Sequence, residues 1–125
     1  PSSVTMICQY AFSKCSSLSK ISIPSSLTVI ENSTFDYCSS LTNISLPRTI
    51  KSIGNYAFYG CSGLKQISIP YSVSSIGDFA FYECSSLSEV FIPSSIDFKM
   101  GTFFRISFNF LIDFILIFNS KNIGL

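Results

Sequence analysis

The chain repeats itself every 23 residues. Cut before Pro1, Pro24, Pro47 and Pro70, it falls into PSSVTMICQYAFSKCSSLSKISI, PSSLTVIENSTFDYCSSLTNISL, PRTIKSIGNYAFYGCSGLKQISI and PYSVSSIGDFAFYECSSLSEVFI, with no insertion between them. A fixed period of this length marks a stacked-coil architecture, in which each unit is too small to bury its own apolar face and depends on its neighbours. What matters for each residue is therefore its column across the coils.

Seven columns are apolar in all four coils. They are Val4/Leu27/Ile50/Val73, Ile7/Ile30/Ile53/Ile76, Phe12/Phe35/Phe58/Phe81, Cys15/Cys38/Cys61/Cys84, Leu18/Leu41/Leu64/Leu87, Ile21/Ile44/Ile67/Val90 and Ile23/Leu46/Ile69/Ile92. The last three read L-x-x-I-x-I, and their final residues alternate at the period-2 spacing of a strand with one buried face. The proline that follows has no N–H to give the ladder, so it ends that strand at the same place in every coil. The segments TVI, KSI and SSI suggest a short second strand. NYAFYGC and DFAFYEC place Phe and Cys one helical turn apart, which predicts a helical or 3-10 turn.

Ile53-Gly54, Ala57-Phe58, Cys61, Leu64, Ile67, Ile69 and Pro70 closely resemble the BspA-type leucine-rich repeat family, whose pattern is L-x-x-I-x-I-P-x-S-V-x-x-I-G-x-x-A-F-x-x-C-x-x-L. Ile76-Gly77, Ala80-Phe81, Cys84, Leu87, Ile92 and Pro93 repeat the match, and the resemblance runs from residue 1 to about 96. Coil one departs with Cys8 at the glycine, and coil two with Glu31 and Thr34 at the glycine and alanine. The resemblance implies a leucine-rich repeat solenoid of the α/β horseshoe type, rich in β. One parallel strand per coil would face short helical or 3-10 turns on the opposite side. It also implies a surface or secreted protein of bacteria or of parasitic or commensal protists, often linked to adhesion. The matching function is a non-catalytic module binding protein or glycan; the alternative is an intracellular scaffold of the same repeat. Fold alone does not settle between them.

The domain reading is four repeats over residues 1–96, at 1–23, 24–46, 47–69 and 70–92, followed by 97–125 as a degenerate fifth repeat or a C-terminal cap or tail. The opening at Pro1, without an initiating Met or a leader pattern, suggests further repeats upstream. Eight basic and seven acidic residues nearly cancel, which argues against nucleic acid as a partner. Histidine is absent, removing the commonest general base and metal ligand. No enzyme activity, cofactor or metal site is expected. The most apolar stretch, Phe103 to Phe118, is interrupted by Arg105, Asn109 and Asp113, so no membrane span is expected.

Alternation along the strand turns two rows outward: Lys20, Asn43, Gln66 and Glu89, then Ser22, Ser45, Ser68 and Phe91. These eight are the candidate binding residues, since repeat proteins recognise partners through such open faces; a plain solvated surface is the simpler reading. A second outward pair of rows is Tyr10, Ser33, Tyr56 and Phe79 with Ser13, Asp36, Tyr59 and Tyr82. Rigid rings suit recognition, though they also pack on a coil's outer wall. The cysteine column reads as small apolar filler at a turn rather than a metal ladder or disulfides, because the C-x₂-C spacing of zinc sites is missing and stacked cysteines would have equivalent neighbours on both sides. Asn32-Ser33-Thr34 and Asn43-Ile44-Ser45 are N-glycosylation sequons, and Asn32 looks the better acceptor because Asn43 is mid-strand.

After Pro93 the pattern decays. Met100-Gly101-Thr102-Phe103 echoes I-G-D-F with one residue inserted ahead of it, and Leu111, Phe114 and Leu116 restore the strand spacing. A closing coil, an amphipathic helix with Arg105, Asn109 and Asp113 on one face, and an unselected apolar tail are all compatible with these residues.

Overall fold

The computed structural model describes residues 3–94, 96 and 102. Successive 23-residue coils lie on one another, and the same three walls recur around one core. The first wall is a parallel sheet of β1 (Val29–Ile30), β2 (Ser52–Ile53) and β4 (Ser75–Ile76). Its register pairs Val29 with Ser52 and Ile30 with Ile53, then Ser52 with Ser75 and Ile53 with Ile76. The second wall holds β3 (Gln66–Ser68) and β5 (Glu89–Phe91), also parallel, with Gln66 opposite Glu89 and Ser68 opposite Phe91. A bridge from Asn43 to Gln66 extends it into coil two. Coils three and four thus carry two strands each, the short second strand suggested by KSI and SSI being β2 and β4.

The third wall is neither helical nor 3-10 in the four coils, contrary to the expectation from NYAFYGC and DFAFYEC. It is a run of turns in which two residues per coil take left-handed backbone: Tyr10 and Lys14, Ser33 and Tyr37, Tyr56 and Gly60, Phe79 and Glu83. A left-handed residue breaks a helix at once. In exchange, the wall bonds to the next coil. The N–H groups of Tyr56, Phe58 and Gly60 donate to the carbonyls of Asp78, Ala80 and Tyr82 at 3.0, 2.8 and 2.8 Å, and Ser33, Phe35 and Tyr37 donate in the same way to Asn55, Ala57 and Tyr59. All these donors point towards the following coil, so the wall obeys an inter-coil demand that no local propensity encodes.

Inside, Leu27, Leu41, Leu64, Leu87, Ile50, Ile53, Ile69 and Val73 are buried. Phe12, Phe35, Phe58 and Phe81 form a continuous stack, with ring centroids 5.5, 5.4 and 5.2 Å apart and planes within 12°. Coil one's Val4, Ile7, Phe12, Leu18 and Ile21 are only half-buried, because no described coil covers them from the other side. Full burial begins in coil two, as stacking requires.

The departures from the repeat pattern have local causes. Thr34, standing where coils three and four have Ala57 and Ala80, is buried and satisfies its hydroxyl by donating to the Glu31 carbonyl at 2.8 Å. Ser33 is 6% exposed and does not join the outward row it was expected in. A fifth coil begins as the others do, with the Ile96 N–H donating to the Pro93 carbonyl as Val73 does to Pro70. Thr102 is buried and its carbonyl accepts from Phe81, the place Ala80 takes above Phe58. Coil five is therefore one residue short ahead of Thr102, not one residue long; Gly101-Thr102-Phe103 aligns with Ser33-Thr34-Phe35. The helix, strand and tail readings of Phe103 to Phe118 lie outside the described residues.

Candidate binding surfaces

The outward rows of the second sheet wall are where the alternation places them. Lys20, Ser22, Asn43, Ser45, Gln66, Ser68, Glu89 and Phe91 are all exposed, and those in β3 and β5 face one another across the ladder. Parallel register at one-coil spacing gives a polar strip whose side chains change from coil to coil while their positions do not. Its aromatic anchor is Phe91, 46% exposed and held edge-on by Tyr71 at 5.5 Å between ring centroids. Tyr71 follows the strand-ending Pro70, near the start of the coil that Phe91 closes, and was not apparent from the strand alternation, since it lies outside the strand.

The turn wall carries a second surface. Tyr37, Tyr56, Tyr59, Phe79 and Tyr82 form one connected cluster, every neighbouring pair of centroids 5.2 to 5.4 Å apart. Tyr56 stacks on Phe79 and Tyr59 on Tyr82, whereas Tyr37 meets Tyr59 edge-on. Tyr37 is 44% exposed and Tyr56 42%, and both lie on left-handed backbone. Beside the rings runs a shallow groove lined by Tyr37, Gly60 and Glu83 together with Ser39, Ser62 and Ser85. Tyr37 was missed in the sequence because its column otherwise holds Lys14, Gly60 and Glu83; its ring lies where a side chain on Gly60 would sit.

The cysteine column is a structural ladder. Cys38, Cys61 and Cys84 are buried and free, and each thiol donates to the carbonyl of the phenylalanine in the preceding coil: Cys38 to Phe12 and Cys61 to Phe35 at 3.1 Å, Cys84 to Phe58 at 3.2 Å. Burial, with Cys15 next in weight, pushes the Cys38 thiol up to about 11. Burial likewise pushes Cys84 up to about 12 and, helped by Cys84 and Cys38, raises Cys61. A thiolate nucleophile needs the opposite shift. Among the described residues no group of three His, Cys, Asp or Glu side chains converges as a metal site, and no helix is long and apolar enough to cross a membrane.

The two sequons differ in setting. Asn32 Oδ1 accepts the Asn55 N–H at 2.8 Å, and Ser33 and Thr34 are buried. Asn43 is exposed on the strand wall. The Asn32 side-chain oxygen thus holds coil two to coil three.

The profile of the BspA type leucine rich repeat region matches residues 1–109, in six copies. The chain belongs to the BspA-type leucine-rich repeat family. Among solved structures, this BspA-type chain is similar to a leucine-rich repeat protein from Bacteroides ovatus, with TM-score 0.75 and 46% identity over 78% of the chain and 25% of that protein. It is similar also to the T. pallidum leucine rich repeat protein TpLRR, with TM-score 0.75 and 39% identity over 78% of the chain and 45% of that one. A leucine rich cell surface protein from Faecalibacterium prausnitzii follows with TM-score 0.62 and 40% identity, over 64% of the chain and 21% of that protein. The BspA-type repeats here thus span between about a fifth and a half of the length of these structures. No curated protein matches the chain. The family match extends past residue 96, into the segment where the repeat decays to the eye.

Proposed function

We propose that the chain is a non-catalytic binding module of a cell-surface or secreted protein, engaging a protein or glycan through the strand wall. The observation that carries this reading is the pair of exposed rows, Lys20, Asn43, Gln66, Glu89 and Ser22, Ser45, Ser68, Phe91, held in parallel register from Asn43 through Gln66 to Glu89. A wall of this kind offers varied side chains on a rigid lattice, so a partner is recognised with little ordering cost. Phe91, propped by Tyr71, supplies the aromatic anchor on which such surfaces concentrate affinity. The Faecalibacterium relative described as a cell surface protein supports the location. The longer relatives support further repeats in the same protein, and the match to residue 109 supports reading the start of 97–125 as a closing coil.

The test is binding to arrays of purified glycans and extracellular-matrix proteins, comparing the native chain with one carrying alanine at Asn43, Gln66, Glu89 and Phe91. The reading expects ligands that are lost in the variant while its thermal unfolding is unchanged. Equal binding by both chains would move the interaction off this wall.

A further inference from the structure

The charges of the four coils are segregated. Within residues 1–92 there are five acidic and five basic side chains; Glu31, Asp36, Asp78 and Glu83 lie in the turn segments, joined there by Lys14 alone. Lys20, Arg48, Lys51 and Lys65 all lie elsewhere on the coil. From coil two onward the turn wall is therefore acidic, and it is the same wall that displays the connected cluster of Tyr37, Tyr56, Tyr59, Phe79 and Tyr82.

This aromatic surface is held at a cost. Tyr37, Tyr56 and Phe79 adopt φ of 58°, 58° and 57°, a conformation that disfavours side chains with a Cβ by roughly 1–2 kcal/mol each. Gly60, in the column of Tyr37, takes the same conformation without that cost. Exposed rings in a connected patch mark an interaction surface. In coil two the row of Tyr59 and Tyr82 holds Asp36, whose Oδ1 atom is buried without a hydrogen-bond partner.

We propose that the turn wall is a second docking surface, distinct from the strand wall, and that its occupant is an arginine- or lysine-rich extended polypeptide segment. Ring faces attract guanidinium and ammonium groups through their quadrupole, Tyr and Phe included. Carboxylates at the same wall complete the recognition of those cations. The groove past Gly60 and Glu83, lined by Ser16, Ser39, Ser62 and Ser85 with Lys14 at its coil-one end, runs from coil to coil beside Tyr37 and gives an extended backbone a track over coils two to four. An acidic peptide would meet Glu31, Asp36 and Glu83 unfavourably, and a neutral sugar would gain hydrogen bonds from them but no charge attraction.

The experiment titrates the 125-residue chain by calorimetry with a synthetic arginine–glycine repeat peptide, a glutamate–glycine peptide and a neutral gluco-oligosaccharide, at low and high salt. Binding is expected for the arginine peptide alone, weakening as salt rises. Glu83→Lys is expected to weaken it about fivefold, and Tyr56→Ser with Phe79→Ser about thirtyfold, in line with exposed ion-pair and cation–π energies of about 1 kcal/mol each. Both variants place side chains already found in those columns, at Lys14 and Ser33, so their melting temperatures serve as fold controls; Ser19→Lys, on another part of the coil, should bind as the native chain does. The proposal is overturned if the arginine peptide does not bind, if the Glu83 and ring variants bind it unchanged, or if the oligosaccharide binds through the same rings. It is overturned equally if sedimentation shows these substitutions acting only on self-association, which would make a second copy the occupant.

Discussion

The thiol of Cys61 donates to the carbonyl oxygen of Phe35, one coil below it, at 3.1 Å. That carbonyl also accepts the N–H of Cys38 within its own coil, so one oxygen joins a turn to its successor. Cys61→Ala removes both the bond and the packing of a fully buried sulfur, and should cost about 1–3 kcal/mol of stability in chemical denaturation. In the native protein a thiol probe should modify Cys8, which is exposed, and spare Cys38, Cys61 and Cys84 until the chain is unfolded. Counting labelled sites by mass spectrometry checks this.

The same burial sets a dependence on pH. Cys38 and Cys84 titrate at about 11 and about 12 in the fold against an ordinary value of 9.0. The folded protein thus holds protons that the unfolded chain releases, and stability falls as pH rises. The contribution is complete below pH 9 and is lost progressively up to about 11 to 12. Denaturant midpoints measured from pH 8 to pH 11 should decline, and less steeply in Cys38→Ala.

Gly54 sits against Asn32. A Cβ on Gly54 would lie 2.5 Å from Asn32 Oδ1 and 2.7 Å from its backbone N, and the Asn32 side chain is committed to the Asn55 N–H. Gly54→Ala should therefore lower stability by about 1–3 kcal/mol. Adding Asn32→Ala should not restore it, since the backbone contact stays.

The columns made the core, both strand walls and the outward rows readable, because burial repeats with the period and alternation is local. The turn wall was not readable. Its left-handed positions hold Tyr10, Lys14, Ser33, Tyr37, Tyr56, Phe79 and Glu83, with Gly60 the lone residue that advertises the conformation. The force that imposes it, hydrogen bonding to the next coil, has no signature within seven residues of sequence. Ser33 and Tyr37 were misjudged for the same reason, and the register of coil five was misread because Gly101 suggested I-G where Thr102 repeats the role of Thr34.

Lys14 offers a direct measure of that strain. Its φ is 60°, so Lys14→Gly relieves roughly 1–2 kcal/mol of left-handed cost while adding about 0.5–1 kcal/mol of chain entropy to the unfolded state. A net gain of about 0.5–1 kcal/mol is expected. Ser16→Gly, outside the left-handed positions, should lose stability by about the same amount. Thermal melts of the two variants give the sign.

The stacking itself is tested most directly by nuclear Overhauser effects in a uniformly labelled sample. Backbone protons of Gln66 should show contacts with Glu89 and with Asn43, those of Ile53 with Ile76, and the ring of Phe58 with the rings of Phe35 and Phe81. Contacts confined to residues three or four apart in the chain, with none between residues one coil apart, would contradict the solenoid and both surfaces built on it.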